Sequence, residues 1–80
     1  MKITTLFFGI TTDLIGASQM QIDVKENATI KDFKTLLKNE YSQLENINSY
    51  AIAVNEEYAS DNTNLKEKDI VAVIPPVSGG

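Results

Sequence analysis

The chain has no cysteine, no histidine and no arginine in 80 residues. Each absence removes a class of chemistry. Without cysteine there is neither a disulfide nor a thiol nucleophile. Without histidine the commonest general base and the commonest metal ligand are gone. Without arginine the bidentate clamp for phosphate is gone too. Glycine and proline are scarce, at four and two. The glycines are too few and too scattered for a phosphate-cradling loop. Positive charge is also short: seven lysines stand against eleven acids, for a net charge of −4. That balance argues against nucleic acid, whose binding rests on neutralising phosphates, and suits a basic protein partner. The lysines are too few for a membrane face, and no apolar run approaches the length that crosses a bilayer. Residues 1–8 lack the long apolar stretch and small-residue cleavage site of a signal peptide, so a cytoplasmic location is expected.

What remains is an ordinary globular composition, 42% hydrophobic and 22% charged, in a chain long enough for one modest core. Residues 2–8 are rich in Ile, Thr, Leu and Phe and stop at Gly9, a strand with large apolar groups on both faces. Residues 9–17 read as a hairpin loop. Residues 18–25 alternate Met20, Ile22 and Val24 against polar neighbours, the pattern of a half-buried strand. Thr29 then offers a helix N-cap, with Asp32 three residues on as a variant capping box. Ile30, Phe33, Leu36, Leu37 and Tyr41 follow at helical spacing. Burying those five side chains is worth very roughly 7–15 kcal/mol gross, and core packing against the sheet is the expected use of the stripe. The Asn27-Ala28-Thr29 sequon is then incidental.

The second half is built from shorter pieces. Residues 42–49 are polar, with Leu44 and Ile47 as anchors. A third strand is expected over 50–54, a turn at Asn55-Glu56-Glu57, and a brief return strand at Tyr58-Ala59. The loop 60–64 is made of turn-forming residues, Leu65 tucks in, and 66–69 turns the chain. Residues 70–74 are apolar on both faces, which suits a central strand. Then come Pro75 and Pro76, which cannot continue a ladder, followed by Val77, Ser78, Gly79 and Gly80. The expected organisation is a domain over residues 1–76 and a thin flexible C-terminal arm over 77–80. A frayed end is the plain reading of such an arm. The other reading is an arm narrow enough to thread a slot that any side chain would block.

Strand, strand, helix, strand, short strand, strand in one small α+β domain resembles the β-grasp, or ubiquitin-like, fold: a mixed sheet crossed by one main helix. Pattern alone fits other small α+β sheets as well. Leu6-Phe7-Phe8-Gly9, Ala53-Val54-Asn55, and the run Val71-Ala72-Val73-Ile74-Pro75-Pro76-Val77-Ser78-Gly79-Gly80 carry the resemblance further. Together they resemble the small-subunit family of molybdopterin synthase, the MoaD family, across the whole chain. Two departures stand out. Lys68-Asp69 occupies a turn where that family often has Gly-Asp, and a lysine there would be strained in any left-handed backbone. Ser78 replaces the more usual alanine and keeps the arm thin.

The resemblance implies a sulfur carrier. A MoeB-like activating enzyme would adenylate the Gly80 carboxylate with ATP. A sulfur donor protein would displace AMP to leave a thiocarboxylate. The arm, through Val77, Ser78 and Gly79, would carry that sulfur into the large synthase subunit, most simply in a heterotetramer. There it would reach cyclic pyranopterin monophosphate, the precursor of the dithiolene of the molybdenum cofactor. On this reading the chain binds no cofactor or metal. It is not an enzyme by itself but the sulfur-donating subunit of a sulfurtransferase. The outward face of the sheet would meet the large subunit through Phe8, Tyr58 and Ile74, with Pro75 and Pro76 at the root of the arm. Read from residues alone, those side chains fit flanking core as well as interface. Other readings of the same terminus are a carrier for thiamine synthesis or tRNA thiolation, or a ubiquitin-like modifier joined to lysines. The thiamine carriers are typically shorter and lack the Leu-Phe-Phe and Pro-Pro pairs.

Overall fold

The computed structural model of the chain describes residues 1–44 and 49–76. Its elements in order are β1 (Lys2–Phe7), α1 (Ile10–Ile15), β2 (Gln19–Asp23), α2 (Ile30–Glu40), a 3-10 turn at Ser42–Leu44, β3 (Ala51–Val54), β4 (Glu57–Tyr58) and β5 (Ile70–Ile74). The strands form one sheet in the order β2-β1-β5-β3-β4. Only β1 and β5 run parallel, with Phe7 opposite Val73; the other neighbours are antiparallel. This is the mixed β-grasp sheet that the element order implies, and β5 lies at its centre as its two apolar faces require. Among the described residues no helix is long and apolar enough to cross a membrane.

Alternation along the strands sorts the core. Ile3, Thr5 and Phe7 of β1 and Val71 and Val73 of β5 are buried, while their neighbours in sequence are not. Ile3, Phe7, Val71 and Val73 meet Ile30, Phe33 and Leu37 of α2 in one cluster with Ile22, Ile52, Leu44 and Leu65. Leu36 and Tyr41, the margins of the helical stripe, are half-buried, and the Tyr41 hydroxyl lies 3.2 Å from the Met20 sulfur. Leu44 and Leu65 therefore anchor as expected; Ile47 lies outside the described residues.

The cap of α2 also forms as the spacing predicts. The Thr29 hydroxyl accepts from Asp32 N–H, and the Asp32 carboxylate accepts from Thr29 N–H at 3.0 Å. The bond from the Thr29 backbone holds the Asp32 carboxyl below its ordinary value, against the opposing effect of burial; the Thr29 hydroxyl, Lys25 and Lys31 add to the lowering. A carboxyl with a lowered folded-state pKa stabilises the fold above its unfolded value, about pH 4. That contribution is lost as the pH falls through the folded value. Asp32→Asn is therefore expected to lower the melting temperature at neutral pH, with the gap to the parent closing below about pH 4. Melts at pH 7 and at pH 2.5 check it, and a gap that stays constant would disprove the linkage.

Two expectations change. Residues 9–17 are not an open loop: they hold the short helix α1. Its six residues are too few for a periodic signal, and Ile10-Thr11-Thr12 is a β-branched run with little helix propensity. Side chains make up the deficit. The buried Thr11 hydroxyl accepts from Phe8 N–H at 3.0 Å and donates to the Phe8 carbonyl, and Thr12 donates to the Phe7 carbonyl at 2.9 Å. For the same reason β1 ends at Phe7 and not at residue 8, since both backbone groups of Phe8 are already engaged. Gly16 closes the helix at φ 84°, its N–H bonded to the Thr12 carbonyl.

The β3–β4 turn is the second change. Its central residues are Asn55 and Glu56 alone, both at positive φ, with Val54 opposite Glu57. That is the two-residue hairpin whose geometry favours Asn-Gly. Glu57 accordingly belongs to β4. Ala59, expected in the return strand, lies just past it and donates its N–H to Ile52.

Lys68 sits at φ 72°, so the turn before β5 is left-handed. The lysine holds a backbone conformation that costs an L-residue roughly 1–2 kcal/mol. Lys68→Gly removes that strain and adds some unfolded-state entropy, for an expected net gain of about 0.5–1 kcal/mol. In a domain of this size that is a rise of roughly 2–8 °C in the melting temperature. A lower melting temperature would disprove the strain.

Candidate functional site: the outer sheet face and the root of the arm

The residues that alternate away from α2 form one continuous outer face. Register places Gln19, Leu6, Ala72, Ala53 and Tyr58 in a row across all five strands. Thr4 and Ile70 pair beside it on one side, and Ile74 and Ala51 pair on the other. Two alanines at the centre leave a dip, and larger apolar groups surround it. Leu6, Phe8, Ile70 and Ala72, with Asn55 and Glu56, line a hollow of about 480 Å³. Phe8 is 47% exposed, Ile70 46% and Tyr58 78%. A small domain that leaves side chains this large in water on one face presents a surface suited to burial against a partner.

The rim is held in place by hydrogen bonds. Asn55 reaches across from the β3–β4 turn to the start of β5: its side chain donates to the Asp69 carboxylate at 3.0 Å and accepts from Ile70 N–H at 3.0 Å. Asp69 in turn accepts from Lys66 N–H at 2.8 Å. Opposite, Thr11 holds Phe8. The hollow is thus framed by two short polar clamps, and Glu56 is the acidic group on its edge.

Of the residues expected at the interface, Phe8 lies on the hollow itself. Ile74 and Pro75 are half-buried and Pro76 is exposed, at the end of β5 where the chain leaves the sheet. Tyr58 shares the face but stands apart, on edge strand β4, where it lines a separate polar hollow with Asn55, Lys66 and Asp69. Val77, Ser78, Gly79 and Gly80 lie outside the described residues. Ile70, Asn55 and Glu56 were not foreseen as part of the site. Ile70 has the same strand parity as Ala72 and Ile74, which was signal enough. The placement of Asn55 and Glu56 depends on the hairpin folding back over β5, which no local pattern encodes. Among the described residues no three His, Cys, Asp or Glu side chains come together as a metal ion would need.

Comparison with known proteins agrees with this architecture. The sequence profile described as the ThiS family matches residues 5–80. The molybdopterin synthase sulfur carrier subunit of Caenorhabditis elegans is 38% identical over 84 residues, covering all of this chain and 99% of that protein. A solved complex of subunits 1 and 2 of the molybdopterin-converting factor from Helicobacter pylori contains a chain that superposes with a TM-score of 0.70 at 28% identity, each chain fully covered. SAMP1 from Haloferax volcanii superposes with a TM-score of 0.88 over the whole of both chains; at 24% identity it supports the fold alone.

Proposed function

The chain belongs to the ThiS family, and on that premise we propose that it is the sulfur carrier subunit of a molybdopterin synthase. The observation that carries this reading is the end-to-end likeness to a relative of that name, with Gly79 and Gly80 inside the residues the family match covers. The chemistry asked of this chain is small. A carboxylate is a poor electrophile until one oxygen becomes a good leaving group. Attack of the Gly80 carboxylate on the α-phosphorus of ATP, in an activating enzyme, forms the acyl-adenylate and releases pyrophosphate. Hydrosulfide released from a donor protein then adds at the carbonyl carbon, and AMP leaves. The resulting thiocarboxylate is a soft, strong nucleophile that needs no thiol, imidazole or metal beside it. Catalytic groups belong to the partners.

The outer sheet face supplies the docking. Phe8, Leu6, Ile70 and Ala72 bury against the large subunit, Tyr58 extends the contact at the sheet edge, and Ile74, Pro75 and Pro76 deliver the arm from the same end. A dithiolene holds two sulfurs, so each product consumes two loaded carriers. Two small subunits assembled with two large ones would suit that count.

The test loads Gly80 with a thiocarboxylate and mixes the chain with a large synthase subunit and cyclic pyranopterin monophosphate. Dithiolene product is expected from the thiocarboxylate and none from the plain carboxylate. No product with a large subunit that is active on its own carrier overturns the reading.

A further inference from the structure

Gly9 has φ 57° and ψ −136°, a backbone conformation that side chains exclude. A Cβ built on it would lie 3.2 Å from Cγ of Pro75 and 4.0 Å from its Cδ. The parallel register explains the meeting. Phe7 pairs with Val73, the last rung between β1 and β5, and two residues further along each strand stand Gly9 and Pro75. Neither chain can continue the ladder there. Pro75 has no N–H to give, and Thr11 already holds both backbone groups of the preceding Phe8. Where the hydrogen bonds stop, a proline ring against a bare α-carbon takes over.

The two sides of that contact are unequally fixed. On the β1 side the backbone is stitched by Thr11 to Phe8, by Thr12 to the Phe7 carbonyl, and by Phe7 N–H to the Ser18 carbonyl at 2.9 Å. On the β5 side the last paired residue is Ile74, opposite Ala51; Pro75 is half-buried and Pro76 exposed. A side chain at residue 9 would therefore press on Pro75, the less tightly held side, besides straining the positive-φ backbone of residue 9 itself. We propose that Gly9 is a positioning residue: it seats the Pro75 ring and so sets where Pro75 and Pro76 lie at the end of β5. The link to sulfur delivery rests on the proposed function; the steric seat does not.

The experiment separates the two. The chain has no cysteine, so Ser78→Cys gives a unique site for a nitroxide on the full-length protein. Paramagnetic broadening of backbone amides is then compared in that parent, in Gly9→Ala and in Pro75→Ala. The seat predicts a broadening pattern that either substitution redistributes. It also predicts no further change when Gly9→Ala is added to Pro75→Ala. One pattern common to all the proteins overturns the proposal. Should Gly9→Ala fail to fold, Pro75→Ala decides alone, and an unchanged pattern there overturns it.

The kinetic arm uses the thiocarboxylate form of Gly9→Ala without the label. Single-turnover sulfur transfer is expected to fall about 10- to 100-fold, the usual consequence of a misplaced reacting group. Transfer is read at saturating large subunit, so that any change in affinity drops out of the comparison. Unchanged transfer at full occupancy overturns the role in delivery. If even the parent yields no dithiolene product, the sulfur-carrier reading fails, and the broadening experiment still decides the seat.

Discussion

Phe8→Ala is expected to weaken binding to the large synthase subunit by about 30- to 1000-fold, the effect of losing an aromatic hot spot worth about 2–4 kcal/mol. Hot spots are large rigid groups near the centre of an interface, ringed by smaller contacts that exclude water. Phe8 has that placement. It borders the hollow floored by Leu6 and Ala72, next to the point where β5 gives way to Pro75. Its backbone is held at both N–H and C=O by Thr11, so little conformational freedom remains to be lost on docking. At 47% exposure the ring contributes little to folding, and the unfolding free energy of Phe8→Ala is expected within about 1 kcal/mol of the parent. Ile74→Ala on the same face should weaken binding less, because Ile74 is already half-buried in the free chain. Titration calorimetry against the large subunit, beside urea unfolding of the chain alone, separates the two effects. Parent-like affinity in both variants would remove this face from the interface.

Phe33→Ala is expected to do the reverse, costing about 3–5 kcal/mol of stability. Phe33 lies at the centre of the stripe on α2, has no exposed surface, and shares its cluster with β1, β5 and Leu44. A domain of this length has roughly 4–12 kcal/mol in total, so the variant would lose from a quarter of its stability to all of it. The mechanism is a cavity between helix and sheet that the close-packed strands on the far side cannot collapse to fill. A urea midpoint that falls steeply with an unchanged slope checks it. A midpoint within experimental error of the parent would mean that α2 is not the lid of the sheet. The contrast between the two phenylalanines is the useful control: one should change binding without folding, the other folding first.

Much of this was legible in the residues themselves. The stripe on α2, the cap at Thr29 and Asp32, the parity of β1 and β5, and the two prolines that end β5 all act through neighbours at most four positions apart. Local sterics and hydrogen bonds decide them wherever the rest of the chain goes. The apolar second face was readable too, because alternation with period two sends every other residue to the same side of a strand.

What only the tertiary structure decided involves contacts between distant positions. Helix α1 exists because Thr11 and Thr12 hydroxyls close onto the end of β1, offsetting a poor local propensity. The hollow takes in Asn55 and Glu56 because the β3–β4 hairpin folds back beside β5 and is tied there by Asp69. Thr5 belongs to the core face by parity, yet its buried hydroxyl finds no partner among the described residues, which no pattern of polar and apolar letters could foretell. Gly9 reads in the sequence as a strand breaker; in the fold it is the surface on which Pro75 rests, 66 positions away in the chain. Periodicity and capping are properties of a short segment, and the sequence by itself determined them. Contacts across a long stretch of chain are chosen by the packing of the whole sheet, and only the assembled fold could show them.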